Sequence, residues 1–515
     1  MIKIIRKNYK KNRGVATLEI LFAFAILIMN MTGIMLLINS GQSIYVDTET
    51  NQEALNKADV QIEAAKVFAK QDFNLVSPTS PITDDIYQKS LLVEQVDLFT
   101  KKVTSNVIWK TDGNRNQVVN LSTLITNPDA LSGGDTCSSV LAGDWTNPQK
   151  TEYEFGADIL GDTSSGFPIT SIQSFNKKMY VTVDNDNGNN PGTFFVLDIT
   201  NPAIKPPVLG EFDNNLDVGR GLNAVAVDGS NYAYVASANG SNFTTCTEDE
   251  SCSQLQVIDV SSPSSMSLVA TYKIPGVTGQ SGQSVGQSIA YKNGIVYLGL
   301  AKATGPEFHI IDVGGANTPS ASPTNPIKIG SYEMNSAVNS IQIKGNYAYV
   351  ASPDNQELKI LNISNPTNPT LVGGFDAPGG GANNGNGKSI YLVGDKLYFG
   401  RTLLNGSEFY ILNNTNQATN LPVLGSANIQ NGGSNSSVNG LIIRNHLAFL
   451  ITNAEFQILR IDNPSNITQY AAPLVLPPGT GGGLQGTATD CEGNYVYVGS
   501  QSSNDKGYIS VITGS

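Results

Sequence analysis

The chain has 515 residues, too many for one ordinary domain, and a formal net charge of −12 spread over only 14% charged residues. A net acidic chain with sparse Lys and Arg lacks the clustered cations that a phosphate backbone requires, so nucleic acid is excluded as an expected partner. Its 51 Gly and 24 Pro, with recurring Asn-Pro, Gly-Asn and Gly-Gly pairs, supply turns for many short strands.

The first element is a basic leader followed by an apolar run. Lys3, Arg6, Lys7, Lys10, Lys11 and Arg13 precede any acid, a bias that keeps such a flank cytoplasmic. From Val15 to Ile38 the residues are apolar or small apart from Glu19 and Asn30. At ~1.5 Å per residue that run makes roughly 36 Å of helix, enough to cross a bilayer. A plain signal-anchor leaves Glu19 without a partner, and a carboxylate in a bilayer is costly. A secretory cut after Ala23-Phe24-Ala25 leaves Ile26–Ile38 still to come. A cut after Gly14 instead frees the Val15 amine one helical turn from Glu19, where adjacent helices in a stack pair the two. This pattern resembles the type IV prepilin leader, with two departures: Val15 replaces the usual Phe, and no Pro lies near Leu36. The resemblance implies cleavage by a prepilin peptidase, methylation of the new terminus, and assembly with other pilin subunits through the helix. It also implies a single-pass stage in the cytoplasmic membrane before an extracellular pilus or cell-surface stage. Six of the 31 Lys and Arg lie in the leader, so 25 remain against 43 Asp and Glu and the remainder stands at −18.

The helix is expected to continue. Leu55, Ala58, Ile62, Ala65, Phe68 and Ala69 recur at mostly three- and four-residue spacing, with Glu49, Glu53, Asp59, Glu63 and Lys66 on the other face. One helix from Val15 to about Phe73 follows, stopped by Ser77-Pro78 and Ser80-Pro81. Leu91–Val96, Lys102–Trp109 and Gln117–Ile125 then read as strands, the last two separated by Thr111-Asp112-Gly113-Asn114. A leader at 1–14, a pilin-like helix with a small antiparallel meander at 15–130, and a linker at 131–143 are the expected divisions.

Beyond residue 160 the chain repeats. Aromatic-led strands begin at Tyr180, Tyr234, Tyr297, Tyr349, Tyr398, Phe449 and Tyr497, spaced 54, 63, 52, 49, 51 and 48 residues apart. Each is followed by a third strand (FFVLDI, LQVIDV, FHIIDV, LKILNI, FYILNN, FQILRI, YISVIT), and most units add a turn such as Asn201-Pro202 or Asn365-Pro366 and a fourth strand. Seven four-stranded units of about 50 residues predict a seven-bladed β-propeller. The VIDV and LDITNP cores resemble LVIVD-repeat proteins, a family of surface propellers. The last unit ends at Ser515 after its third strand, while Trp145–Ile159 copies a turn and fourth strand. Residues 144–515 are thus expected to form a propeller closed by the 151–159 strand, leaving no free edge there. The expected fold class is an N-terminal long α-helix with a small antiparallel sheet (pilin-like), followed by an all-β seven-bladed propeller.

Chemistry-bearing residues are few. Cys246 and Cys252 enclose a short loop that a disulfide would clip, and Cys137 with Cys491 is the second candidate pair, locking the closing strand to the last blade. His309 and His446 read as packing and turn residues. Asp184 and Asp186, in Asp184–Asn189, offer hard oxygen ligands suited to calcium, without the distant Glu of an EF-hand. Gly379–Gly387 ends in Lys388-Ser389 like a phosphate loop, but Ala382 and a following strand argue against one, and Gly479–Gly483 has no Lys. With no catalytic motif recognisable, the expected function is a minor, tip-located pilin-like subunit presenting its propeller to a glycan or protein ligand. Calcium is the one cofactor kept open. The alternatives are a structural pseudopilin of a secretion system and an extracellular propeller enzyme.

Overall fold

The computed structural model describes residues 15–71, 76–97, 100–111, 115–126, 136–137, 141–163, 166–184, 194–213, 221–229, 231–237, 253–277, 285–378, 386–402, 406–417, 419–431, 434–477, 485–502 and 505–515. The chain divides into two compact units.

In the first unit, helix α1 (Val15–Gln71) accompanies a sheet of four strands in sequence order, Thr79–Asp84, Tyr87–Asp97, Thr100–Thr111 and Arg115–Thr126. The small side chains of Ala54 and Ala58 are buried against Tyr87, Val107 and Trp109, which lets the helix lie close to the sheet. Tyr87 donates its hydroxyl to Glu53 Oε2 at 3.1 Å, and Lys57 and Lys89 both pair with Asp84. The first strand, Thr79–Asp84, departs from expectation: its Ser80-Pro81 reads as a stop, but Pro is tolerated on a sheet edge.

The second unit carries the repeats. Seven sheets follow one another, with inner strands Ile169–Phe175, Leu222–Val227, Gly286–Lys292, Ser340–Lys344, Gly387–Val393, Val438–Arg444 and Gln485–Gly493. They are blades 1 to 7 below. Each blade is buried against the next by its own cluster: Tyr234, Val257, Leu298 and Ile311 join blades 2 and 3, for example, and Tyr497, Ile509, Met179 and Val181 join blades 7 and 1. Strand 2 of each blade is almost fully buried because it is covered on both faces, which is why it reads as a near-continuous apolar run such as Ile295–Leu300. Blades approach closely at Gly330: a Cβ there would lie 1.8 Å from the Pro366 carbonyl of the next blade's turn.

Gln149–Glu154 pairs antiparallel with Gly507–Thr513, supplying the outer strand of blade 7. It is shorter than the expected 151–159 strand, because Phe155–Leu160 turns into a helical segment that buries Phe155 between Phe167 and Phe195. Within 131–143, Thr136–Cys137 adds parallel to the inner edge at Glu492–Gly493, and Cys137 is disulfide-bonded to Cys491.

The expected fold class needs correction. Among the described residues there are 36 strands against α1 and three short helical segments, and no helix is long and apolar enough to cross a membrane. The described buried face of α1 lies in its second half, against a sheet, as for any amphipathic helix of a globular domain. The chain is a sheet-dominated, propeller-like β protein, and the pilin-like class is withdrawn.

Candidate functional site

The inner strands of all seven blades line one cavity of about 390 Å³. Six of them carry the same irregularity. Thr170, Asn223, Gln287, Lys388, Asn439 and Thr487 are each skipped by the pairing register, so one extra residue sits opposite its neighbouring strand. Asn339 in blade 4 is equivalent: its N–H bonds Ala351 O, which Ser340 also faces. Such bulges redirect a side chain out of the regular alternation. The result is a ring of seven half-buried polar residues lining the cavity, one from each blade.

Most ring members fasten their blade to the next. Asn223 Nδ2 donates to Gly286 O at 2.7 Å, Asn339 Nδ2 to Gly387 O at 2.7 Å, and Asn439 Nδ2 to Gly486 O at 3.0 Å. Thr170 bonds Leu222 O in the same way. In blades 3 and 5 the adjacent serine takes over, Ser288 Oγ reaching Val338 O at 2.7 Å and Ser389 Oγ reaching Val438 O at 3.1 Å. Gln287 then turns to Asn339 Oδ1 at 2.6 Å. Lys388 is left with neither task, and its ammonium has no hydrogen bond or ion pair among the described residues; burial lowers its pKa. Lys292 and Asp490 also line the cavity. Asp490 accepts the Cys491 N–H at 2.9 Å and the Ser174 N–H, so its carboxylate is engaged by backbone.

A second polar column begins the third strands. Gln254, Glu307, Glu357 and Glu408 are buried, and all four accept backbone N–H groups just after the fourth strand: Gln254 from Ile274 at 2.8 Å, Glu307 from Met334 at 3.1 Å, Glu357 from Ala377, and Glu408 from Ile429 at 2.7 Å. Glu357 also meets fully buried Arg401 of blade 5 at 2.7 Å. Burial pushes Glu307 up to about 7, and raises Glu357 and Glu408 as well, against hydrogen bonds that favour their ionised forms. Carboxylates tied this way are fastenings of the blade.

The residues singled out from sequence fall as follows. Cys137 and Cys491 are bonded to each other. Asp184 follows the strand Lys178–Val183 and donates its N–H to Pro168 O. Asp186, Cys246, Cys252, Gly14 and the runs 379–385 and 479–483 lie outside the described residues. Val15 and Glu19 lie in the helical backbone of α1. His309 is fully buried, its Nε2 2.8 Å from Pro306 O, and burial holds its pKa down at about 3, so it is neutral. His446 sits in the turn before Leu447–Thr452, with its ring 6.0 Å from that of Tyr470. Neither column stands out in the sequence patterns, although a signal for the ring is there: a polar residue stands ten or eleven positions before each aromatic that leads strand 2, from Thr170 before Tyr180 to Thr487 before Tyr497.

A family model described as the LVIVD repeat matches residues 251–274 and 337–377. These segments cover the third and fourth strands of blade 2 and nearly the whole of blade 4. No curated protein matches the chain. Among solved structures, the CNH domain titled AfRom2 is similar over 70% of this chain and 98% of its own, at 8% identity and a TM-score of 0.40. A protein titled as a putative 6-phosphogluconolactonase from Bacteroides fragilis is similar over 77% of this chain and 97% of its own, at 11% identity and a TM-score of 0.42. At such scores neither likeness bears on function.

Proposed function

We propose that this chain is an exported recognition module, whose propeller binds a surface ligand, glycan or protein, at the cavity mouth and acts in adhesion. The observation that carries this is the disulfide-fastened ring around a polar cavity: the Cys137–Cys491 bond suits an oxidising compartment, and a rigid ring holds a preformed site. The buried carboxylates are spent on backbone and Arg401, which favours binding over catalysis. Calcium at Asp184 and Asp186 remains part of the proposal as an accessory ion.

The delivery route we propose is the one the N-terminal sequence resembles: cleavage after Gly14 by a prepilin peptidase from a stage at the inner membrane, then assembly with other pilin subunits through Val15 and Glu19. Two measurements test the reading separately. N-terminal sequencing of surface-extracted protein is expected to begin at Val15, and Glu19→Ala is expected to abolish its presence in sheared filaments; an unprocessed or unaffected protein removes the pilin route. Immunogold labelling with binding of the purified chain to glycan and host-surface arrays tests recognition itself. Absence of the protein from the surface, or of any array binding, removes that part.

A further inference from the structure

Resting on the recognition reading, we infer that the ring at Lys388 is a binding site for a hydroxylated carboxylate, of the class of sugar acids. Three observations lead there. First, the ring position serves a structural purpose in blades 1, 2, 4 and 6, where Thr170, Asn223, Asn339 and Asn439 bond the next blade's first-strand carbonyl. In blade 5 Ser389 performs that bond, so the lysine is surplus to the architecture. Its side chain lines the cavity and makes no hydrogen bond or ion pair among the described residues.

Second, one of its neighbours offers an acceptor. Asn339 commits its amide nitrogen to Gly387 O, and Asn439 commits its own to Gly486 O and Asn453 Oδ1. Asn439 thus leaves acceptor oxygen, which suits a hydroxyl donor, whereas Asn339 Oδ1 already accepts Gln287 Nε2 at 2.6 Å; the charge of an anion goes to Lys388. Third, size and charge limit the ligand. A cavity of about 390 Å³ is at the small end of ligand sites. Lys388 is the one ammonium in the ring of seven, and a single ammonium matches a single carboxylate better than phosphate, which is usually met by Arg forks or a nest of backbone N–H groups.

The test is isothermal titration of the full chain with glucuronate, glucose, acetate and inorganic phosphate. Glucuronate is expected to bind at least tenfold more tightly than the other three. Lys388→Asn, which installs the residue of blades 2, 4 and 6, is expected to weaken glucuronate at least tenfold and leave any binding of glucose unchanged. Lys388→Gln, which copies Gln287 of blade 3, repeats the test should the Asn variant fold poorly. Unchanged glucuronate affinity in a folded variant, or phosphate binding as tightly as glucuronate, overturns the assignment. Failure of wild-type protein to bind glucuronate while it still binds arrayed surfaces overturns this site and leaves the recognition reading in place.

Discussion

Two polar columns of the propeller invite comparison. The buried column at the start of the third strands keeps the same work as its residues change from Gln254 to Glu307 and Glu408, each capping a backbone N–H of its own blade. The ring around the cavity keeps its geometry, but in blades 3 and 5 the seam bond has passed to Ser288 and Ser389; Gln287 bonds Asn339 instead, and Lys388 takes up no other protein bond among the described residues. In a repeat protein, a polar residue that does in each unit what its counterparts do belongs to the architecture. One whose work has been taken over by a neighbour is free to serve a ligand.

Breaking the first column is expected to give the largest effect. Arg401→Met leaves Glu357 buried without its partner, and a loss of about 3–5 kcal/mol is expected in urea unfolding. Adding Glu357→Gln, which copies Gln254 of blade 2, is expected to restore most of it, since it removes the stranded charge. A double variant as unstable as the single one would show that Arg401 matters through its packing on Tyr410 instead.

The next effect is a pH dependence. Burial raises the folded-state value of Glu307 to about 7 from an ordinary 4.5. Between those values the native state holds a proton that the unfolded chain has released. The contribution of this group is therefore most favourable below about pH 4.5 and declines as pH rises toward about 7. Glu307→Gln is expected to flatten the urea midpoint between those limits relative to wild type. An unchanged slope would mean that the Met334 and Asn335 N–H groups hold the carboxylate ionised.

The smallest effect is expected at the ring itself. Lys388→Asn is expected to change stability by no more than about 0.5 kcal/mol, as for a substitution outside any network. A loss several times larger would return Lys388 to the architecture and remove the contrast between the columns.

Much of the ring of blades is legible in the sequence because its determinants are local. Aromatic-led apolar strands, Asn-Pro turns and a 50-residue period follow from what a doubly covered strand and a tight turn require. The site is harder to see. A bulge has no residue signature of its own, and Lys388 follows a glycine run whose obvious comparison is a phosphate loop. Arg401 and Glu357 are 44 residues apart and meet only because neighbouring blades pack, which no spacing along the chain reveals. The first unit shows the opposite fault: the apolar and periodic residues do mark a helix, observed over Val15–Gln71, but a leader and an apolar run are a poor guide to the class of a chain whose described residues are mostly sheet.

The most direct measurement is a crystal structure of the full chain with glucuronate. The expected result is its carboxylate within hydrogen-bond distance of Lys388 Nζ, with a hydroxyl facing the side-chain oxygen of Asn439. A sugar bound elsewhere, with Lys388 paired to a protein acceptor at the cavity mouth, would contradict it.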